Sequence, residues 1–180
     1  MAGLDIFKAK LKGGGARPNL FRVNLPFPAV VGGSAEAELA SFMIKAASLP
    51  SSVINPIEVP FRGRKLKVAG DRSFEPWSIT VINDTTMDIR NAFERWMDLI
   101  NANSENTSSY TGNSALSYYS DILVHQLDRD DTITKTYEII GAFPTNVSAI
   151  DLNYDSNDTV EEFTVELNYQ YWTSQRSGIA

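Results

Sequence analysis

Pro56 and Pro60 decide where the segment 53–61 can sit in a fold. Proline donates no hydrogen bond to a ladder, so a strand holding two of them is confined to a sheet edge or stands free. Beyond the Gly63 turn, residues 62–72 carry Arg62, Arg64, Lys65, Lys67 and Arg72 against a single acid, Asp71. The sequence therefore predicts a protruding hairpin over residues 50–74. Its first arm is apolar at Val53, Ile54, Ile57, Val59 and Phe61, and its second arm is basic. Such an element makes a poor core and a good contact arm.

The chain has 180 residues, enough for one domain (1–180) with its own core. It contains no cysteine, which excludes disulfides, thiolate metal sites and thiol nucleophiles. No charged and apolar leader pattern opens it, and no run approaches membrane-spanning length. The expectation is a protein made in a cytoplasm, not exported by the standard signal and without a membrane partner. The net charge of −6 hides a division. Residues 1–72 hold eleven Lys/Arg against five Asp/Glu, whereas residues 73–180 hold five against seventeen. A split of this kind fits an arm that binds polyanions, or a molecule whose basic part docks on the acidic part of its own copy. Docking of unlike patches is head-to-tail and closes into rings or continues as filaments. Basic residues that merely solubilise two exposed segments would give the same count.

Most of the remaining pattern has period two. Residues 19–25, 41–48, 77–83, 118–127, 133–140 and 147–153 read as strands, and residues 159–172 read as one long strand. In that last run Phe163, Val165, Leu167, Tyr169 and Tyr171 share one face, while Thr164, Glu166, Asn168 and Gln170 share the other, polar one. One helix is predicted over residues 87–101: Asp84, Thr85 and Thr86 are N-cap candidates, and Ile89, Phe93, Trp96, Met97 and Ile100 recur at helical spacing. Residues 1–18 read as a flexible N-terminal arm with an amphipathic stretch (Leu4, Ile6, Phe7, Leu11) before Gly13–Gly15. Residues 101–117 read as a polar loop. The fold class is thus mainly β with some helix: an antiparallel barrel or two packed sheets with one flanking helix.

The candidates for chemistry are few. His125 is the sole histidine, on a strand face with Asp121, and Ser117 or Ser120 would have to be its nucleophile. No strand-turn-helix elbow surrounds either serine, so the geometry a triad demands is missing. Asp151, Asn153, Asp155 and Glu162 imitate a calcium loop, but Ser156 stands where that loop needs glycine. A hairpin turn at residues 155–158 accounts for the same residues. Gly13–Gly15 precedes no Lys-Ser/Thr pair and is no phosphate cradle. The basic hairpin lacks the interleaved aromatics of a single-strand binder. Trp77, Trp96, Tyr169 and Trp172 are expected in the core or at subunit contacts. No catalytic residue, cofactor or metal is assigned, and the expectation is a protein that is not an enzyme. A soluble polyanion binder working through the hairpin, and a hydrolase around His125, are the competing classes.

Residues 47–74 (ASLPSSVINPIEVPFRGRKLKVAGDRSF), with RPNLFRVNLP (17–26) and FERWMDLIN (93–101), resemble the tail tube proteins of contractile-tailed bacteriophages. The resemblance runs from Arg17 to about Tyr171. It implies six-subunit rings with a continuous inner β-barrel, stacked into a tube inside a contractile sheath, through which DNA passes on ejection. It also implies a virion location, assembly in the host cytoplasm, and sheath, baseplate and tail-terminator proteins as partners. The tubes of type VI secretion and other contractile injection systems, which carry protein effectors, are the alternative. On this reading Leu4, Ile6 and Phe7 of the arm, Val53, Ile54, Ile57, Val59 and Phe61, and Arg62, Arg64, Lys65, Lys67 and Arg72 are contacts between subunits or rings. Thr164, Glu166, Asn168 and Gln170 form a polar face that is a candidate for the lumen, and Asp88, Glu94 and Asp98 are candidates for the sheath side.

Overall fold

Alternating sequence becomes paired strand wherever one face can be buried, because a slip of one residue would exchange the faces. The computed structural model describes residues 2–108 and 117–176. Its strands are β1 (Phe21–Asn24), β2 (Ile44–Ala47), β3 (Val53–Phe61), β4 (Arg64–Ser73), β5 (Trp77–Ile82), β6 (Ser120–Leu127), β7 (Ile133–Val147), β8 (Glu162–Asn168) and β9 (Tyr171–Arg176). Seven of them form one antiparallel sheet in the order β1-β6-β7-β8-β5-β2, with β9 also on β7. β3 and β4 pair only with each other. Three helices complete the described residues: α1 (Ala2–Lys10), α2 (Ser34–Met43) and α3 (Asp88–Ile100).

The sheet turns on one residue of β7. Ser120 pairs with Ala142 but Ile122 pairs with Ile139, so Ile140 and Gly141 together oppose Asp121. Gly141 has φ 65, the left-handed conformation that glycine adopts at a bulge. The Asp121 carboxylate accepts its N–H at 2.8 Å. Before this bulge β7 lies between β6 and β9; after it, β7 pairs with β8. One strand thereby serves two differently aimed halves of the sheet.

α3 closes the core. Ile89, Ala92, Phe93 and Trp96 are buried along one stripe, the helical spacing that the sequence predicts. Phe93 meets Phe163 of β8 edge-on at 6.4 Å, and Phe27 stands edge-on to Phe93 and Trp96 at 5.2 and 5.8 Å. The Trp96 indole donates to the Tyr118 carbonyl at 2.8 Å. Asp84 supports the start of the helix: its carboxylate accepts the Asp88 N–H at 3.2 Å. After the helix, Asn106 N–H donates to Ala102 O and Ala102 N–H to Thr107 O. The first part of the predicted 101–117 loop is therefore a closed turn, and residues 109–116 lie outside the described residues.

Several expectations are corrected. The sheet of the single chain is open: β1 and β2 end it and do not pair with each other, so the described residues contain no closed barrel. Among the described residues there are three α-helices, one of them in the N-terminal arm, rather than one. Residues 41–43, expected in a strand, end α2, whose Ala- and Glu-rich sequence favours helix; the Glu36 carboxylate accepts the Gly33 N–H at its start. Residues 2–10 of the expected flexible arm are helical. β7 continues to Val147, and residues 148–161 are irregular instead of a strand. Turns at 154–155 replace the expected hairpin at 155–158. The long run 159–172 is broken after Asn168, because β9 leaves β8 to join β7 across the Gly141 bulge.

Candidate functional site

The two-stranded β3–β4 element stands away from the body. Register Ile57↔Val68, Val59↔Leu66 and Phe61↔Arg64 assigns its faces. Because side chains alternate along each strand, Val53, Ile57, Val59, Phe61, Leu66 and Val68 share one face, with Arg64 at its tip. Ile54, Pro56, Glu58, Pro60, Lys65, Lys67 and Arg72 share the other. Apart from the half-buried Gly70, every residue from Val53 to Ser73 is exposed, and Phe61 reaches 67%. The tip is a two-residue turn in which Arg62 and Gly63 have φ 44 and 80, the turn whose twist suits a hairpin. The Arg62 guanidinium lies 5.5 Å from the centre of the Phe61 ring. Lys65 pairs with Glu58 across the basic face. At the root of the arm the ladder bulges: Ile54 pairs with Arg72 but Pro56 with Ala69. Here Gly70 allows a close approach, since a Cβ would lie 2.4 Å from the Asn55 carbonyl oxygen.

The feet of this hairpin are fastened. The Trp77 indole donates to Ser48 O at 2.6 Å, and the Trp172 indole donates to Ser51 O at 3.0 Å. The Tyr169 hydroxyl donates to the same Ser51 carbonyl at 3.4 Å. Burial, aided by the Glu75 carboxylate, holds the Tyr169 phenol above its ordinary pKa, so it stays a donor. Three aromatic donors thus fasten two carbonyls, those of Ser48 and Ser51, in the segment leading into β3. The segment entering the arm is thereby tied to the body, and the arm's apolar face has no partner among the described residues.

The remaining predicted residues fall as follows. The structure brings Val53, Ile57, Val59 and Phe61 onto one face, with Ile54 on the opposite one. Leu66 and Val68 complete the apolar face and were missed; their alternation with Lys65 and Lys67 was the available signal. Leu4, Ile6 and Phe7 are exposed on α1. Thr164, Glu166 and Asn168 share the polar face of β8, across from Ser78 and Thr80 of β5. Gln170 leaves that strand and bends over Gly141, its amide 3.4 Å from the Tyr119 hydroxyl. Phe163, Val165 and Leu167 are buried in the core, Phe163 against Phe93 of α3. Asp88, Glu94 and Asp98 line a groove on the outer side of α3 with Glu36 and Arg95. Arg95 approaches Glu36 at 3.5 Å and Arg90 pairs with Glu94 at 2.9 Å.

The groups considered for catalysis do not converge. His125 Nδ1 lies 3.0 Å from the Thr136 hydroxyl, while Asp121 is engaged with Gly141. The Ser120 hydroxyl donates to Pro26 O, and that of Ser117 is buried. Burial and the nearby Arg22 lower the His125 pKa. The calcium-like segment 151–158 is an exposed turn, and no cluster of acids or histidine able to hold a metal exists among the described residues. No described helix is long and apolar enough to cross a membrane.

Comparison with known proteins agrees with this architecture. The family profile described as phage tail tube protein matches residues 16–175. The tail tube protein gp19 of Enterobacteria phage T4 is 36% identical over 169 residues, covering 93% of this chain and 97% of that one. The tail tube protein of Serratia phage KSP90 is 30% identical, covering 98% and 99%. Among solved structures, a chain of the anti-feeding prophage baseplate, 6-fold symmetrised, superposes with a TM-score of 0.66 at 18% identity, covering 90% of this chain and 96% of that one. That likeness is one of fold. With an exposed arm, an open sheet and a profile match across nearly its whole length, the chain belongs to the phage tail tube protein family.

Proposed function

We propose that this chain is a structural subunit of the inner tube of a contractile phage tail. Six copies close into a ring, and rings stack head to tail. The observation that carries the reading is the hairpin, exposed on both faces, in a member of the tail tube family. Its apolar face supplies burial in the next ring, and Arg62, Arg64, Lys65, Lys67 and Arg72 supply orientation more than affinity. The ends of the open sheet at β1 and β2 are available to pair with neighbours in the ring, which removes exposed edges. α1, with Leu4, Ile6 and Phe7 outward, is a second contact between copies.

The face bearing Thr164, Glu166 and Asn168 suits the lumen, with Gln170 at its margin. Phosphate binding is dominated by Lys and Arg, and this face offers hydroxyls, amides and a carboxylate, so DNA would pass without sticking. The acidic groove along α3 suits the sheath side, and baseplate and terminator proteins would meet the tube ends, with assembly in the host cytoplasm. A tube carrying protein effectors rests on fold likeness to injection systems, whereas the identity shared over whole chains is with phage tubes.

Replacing Arg62, Arg64 and Lys67 together by glutamate tests the reading. The expected result is a folded subunit, judged by circular dichroism, that fails to form tubes by electron microscopy. Tubes of ordinary length from the triple variant would defeat it.

A further inference from the structure

The body has two ends that differ in chemistry. Along β5 the pairs run from Trp77↔Leu167 to Ile82↔Glu162. The hairpin joins β5 at its Trp77 end and extends nine residues from there, a reach of roughly 30 Å at the strand rise. The irregular segment 148–161 joins Val147, paired with Val165, to Glu162, paired with Ile82. It therefore caps the opposite end of the same strands.

This segment matches the hairpin in both respects that matter. It holds Asp151, Asp155, Asp158 and Glu161 and no Lys or Arg. No ion pair among the described residues engages its three aspartates. It also presents apolar side chains to solvent: Leu152 is 80% exposed, Val160 67%, and Tyr154 fully. Leu152, Asn153 and Tyr154 line a shallow hollow of about 320 Å³, room for one apolar side chain of the hairpin tip. An exposed apolar face with Arg62, Arg64, Lys67 and Arg72 outside any ion pair among the described residues thus faces, in a head-to-tail stack, exposed apolar groups with unpaired aspartates at the other end. The α3 groove is the competing acidic surface. It is lined by polar and charged residues alone, and Arg90 and Arg95 already compensate two of its carboxylates, so it offers nothing to cover Ile57, Val59 and Leu66.

We propose that residues 148–161 of one copy are the receptor for the hairpin of the next copy along the tube, with Leu152 and Tyr154 against the hairpin's apolar face and Asp151, Asp155 and Asp158 against its cations. This assignment rests on the stacked-ring reading above and gives that reading its second surface.

Charge exchange tests it, with tube mass recovered by pelleting at a concentration where the unaltered chain assembles. Asp151→Lys/Asp155→Lys/Asp158→Lys lowers the recovered tube by about tenfold or more, and the neutral pair Leu152→Ser/Tyr154→Ser lowers it too, since complementarity governs register. Combining the lysine triple with Arg62→Glu/Arg64→Glu/Lys67→Glu restores assembly to within about threefold of the unaltered chain, as coupled sites do. Circular dichroism checks that each variant is folded. Assembly lost in the hairpin triple but unchanged in the lysine triple or the serine pair overturns the receptor assignment and leaves stacking intact. The same follows if the combined chain is no better than either triple, or if Asp88→Lys/Glu94→Lys/Asp98→Lys abolishes stacking where the loop variants do not. Assembly unchanged in the hairpin triple overturns both.

Discussion

Two glycines separate what holds the body together from what the arm is for. Gly141 permits the φ of 65 that lets β7 change partners, and an alanine there would be strained in the left-handed region by roughly 1–2 kcal/mol. Gly141→Ala is expected to lower the unfolding free energy of the isolated subunit by that amount, seen as a lower urea midpoint at unchanged m. Gly70→Ala introduces a contact of 2.4 Å with a backbone oxygen, but at the arm's root, away from the core. It should leave the urea midpoint unchanged and impair assembly, a split that equilibrium unfolding and electron microscopy can read side by side. His125 gives a pH signature. Its folded pKa lies below the ordinary 6.5, by burial first and Arg22 second, so the unfolded chain binds the proton more readily. Stability from this group is present above 6.5 and declines as pH falls toward the folded value. His125→Gln should flatten that decline in thermal melts between pH 7 and pH 5, and an unchanged slope would refute the attribution.

At the level of elements, legibility followed burial. β5 and β8 alternate without interruption because one face of each is buried in the core, and α3 has its aromatic stripe written in its sequence, whereas its N-cap is Met87 rather than Asp84, Thr85 or Thr86. The hairpin was readable for the opposite reason: its prolines forbid a central place. What escaped was set by tertiary partners. The strand expected over residues 41–48 is found only at 44–47, because residues 41–43 complete α2, whose helix-forming residues and Glu36 at its start carry the helix that far. The end of the 159–172 run could not be foreseen, since the break comes from the Gly141 bulge some thirty residues earlier in the chain. The polar face was legible for Thr164, Glu166 and Asn168 and failed at Gln170 for that same reason. These elements predict a contrast. Replacing residues 53–73 by a short Gly/Ser loop, with the Ser48 and Ser51 anchors kept, should leave the thermal midpoint of the body nearly unchanged. Trp96→Ala, which empties the core beneath α3, should cost about 3–5 kcal/mol by urea unfolding. A body that melts once its arm is removed would mean that the hairpin stabilises its own chain.

For the whole molecule, the −6 net charge matters less than its division. Half of the basic excess of residues 1–72 sits on an arm at one end, and the acidic excess lies in the body and its far-end loop, so translation of one copy along its axis brings unlike surfaces together. The subunit exposes an apolar hairpin face, an amphipathic α1 and two sheet ends, the surfaces that the proposed assembly would cover. Electron cryo-microscopy of the purified chain at rising concentration tests this most directly. The account predicts stacked six-fold rings in which density for residues 53–73 crosses into the adjacent ring and ends at its 148–161 segment. A solitary particle with that hairpin folded against its own body would contradict it.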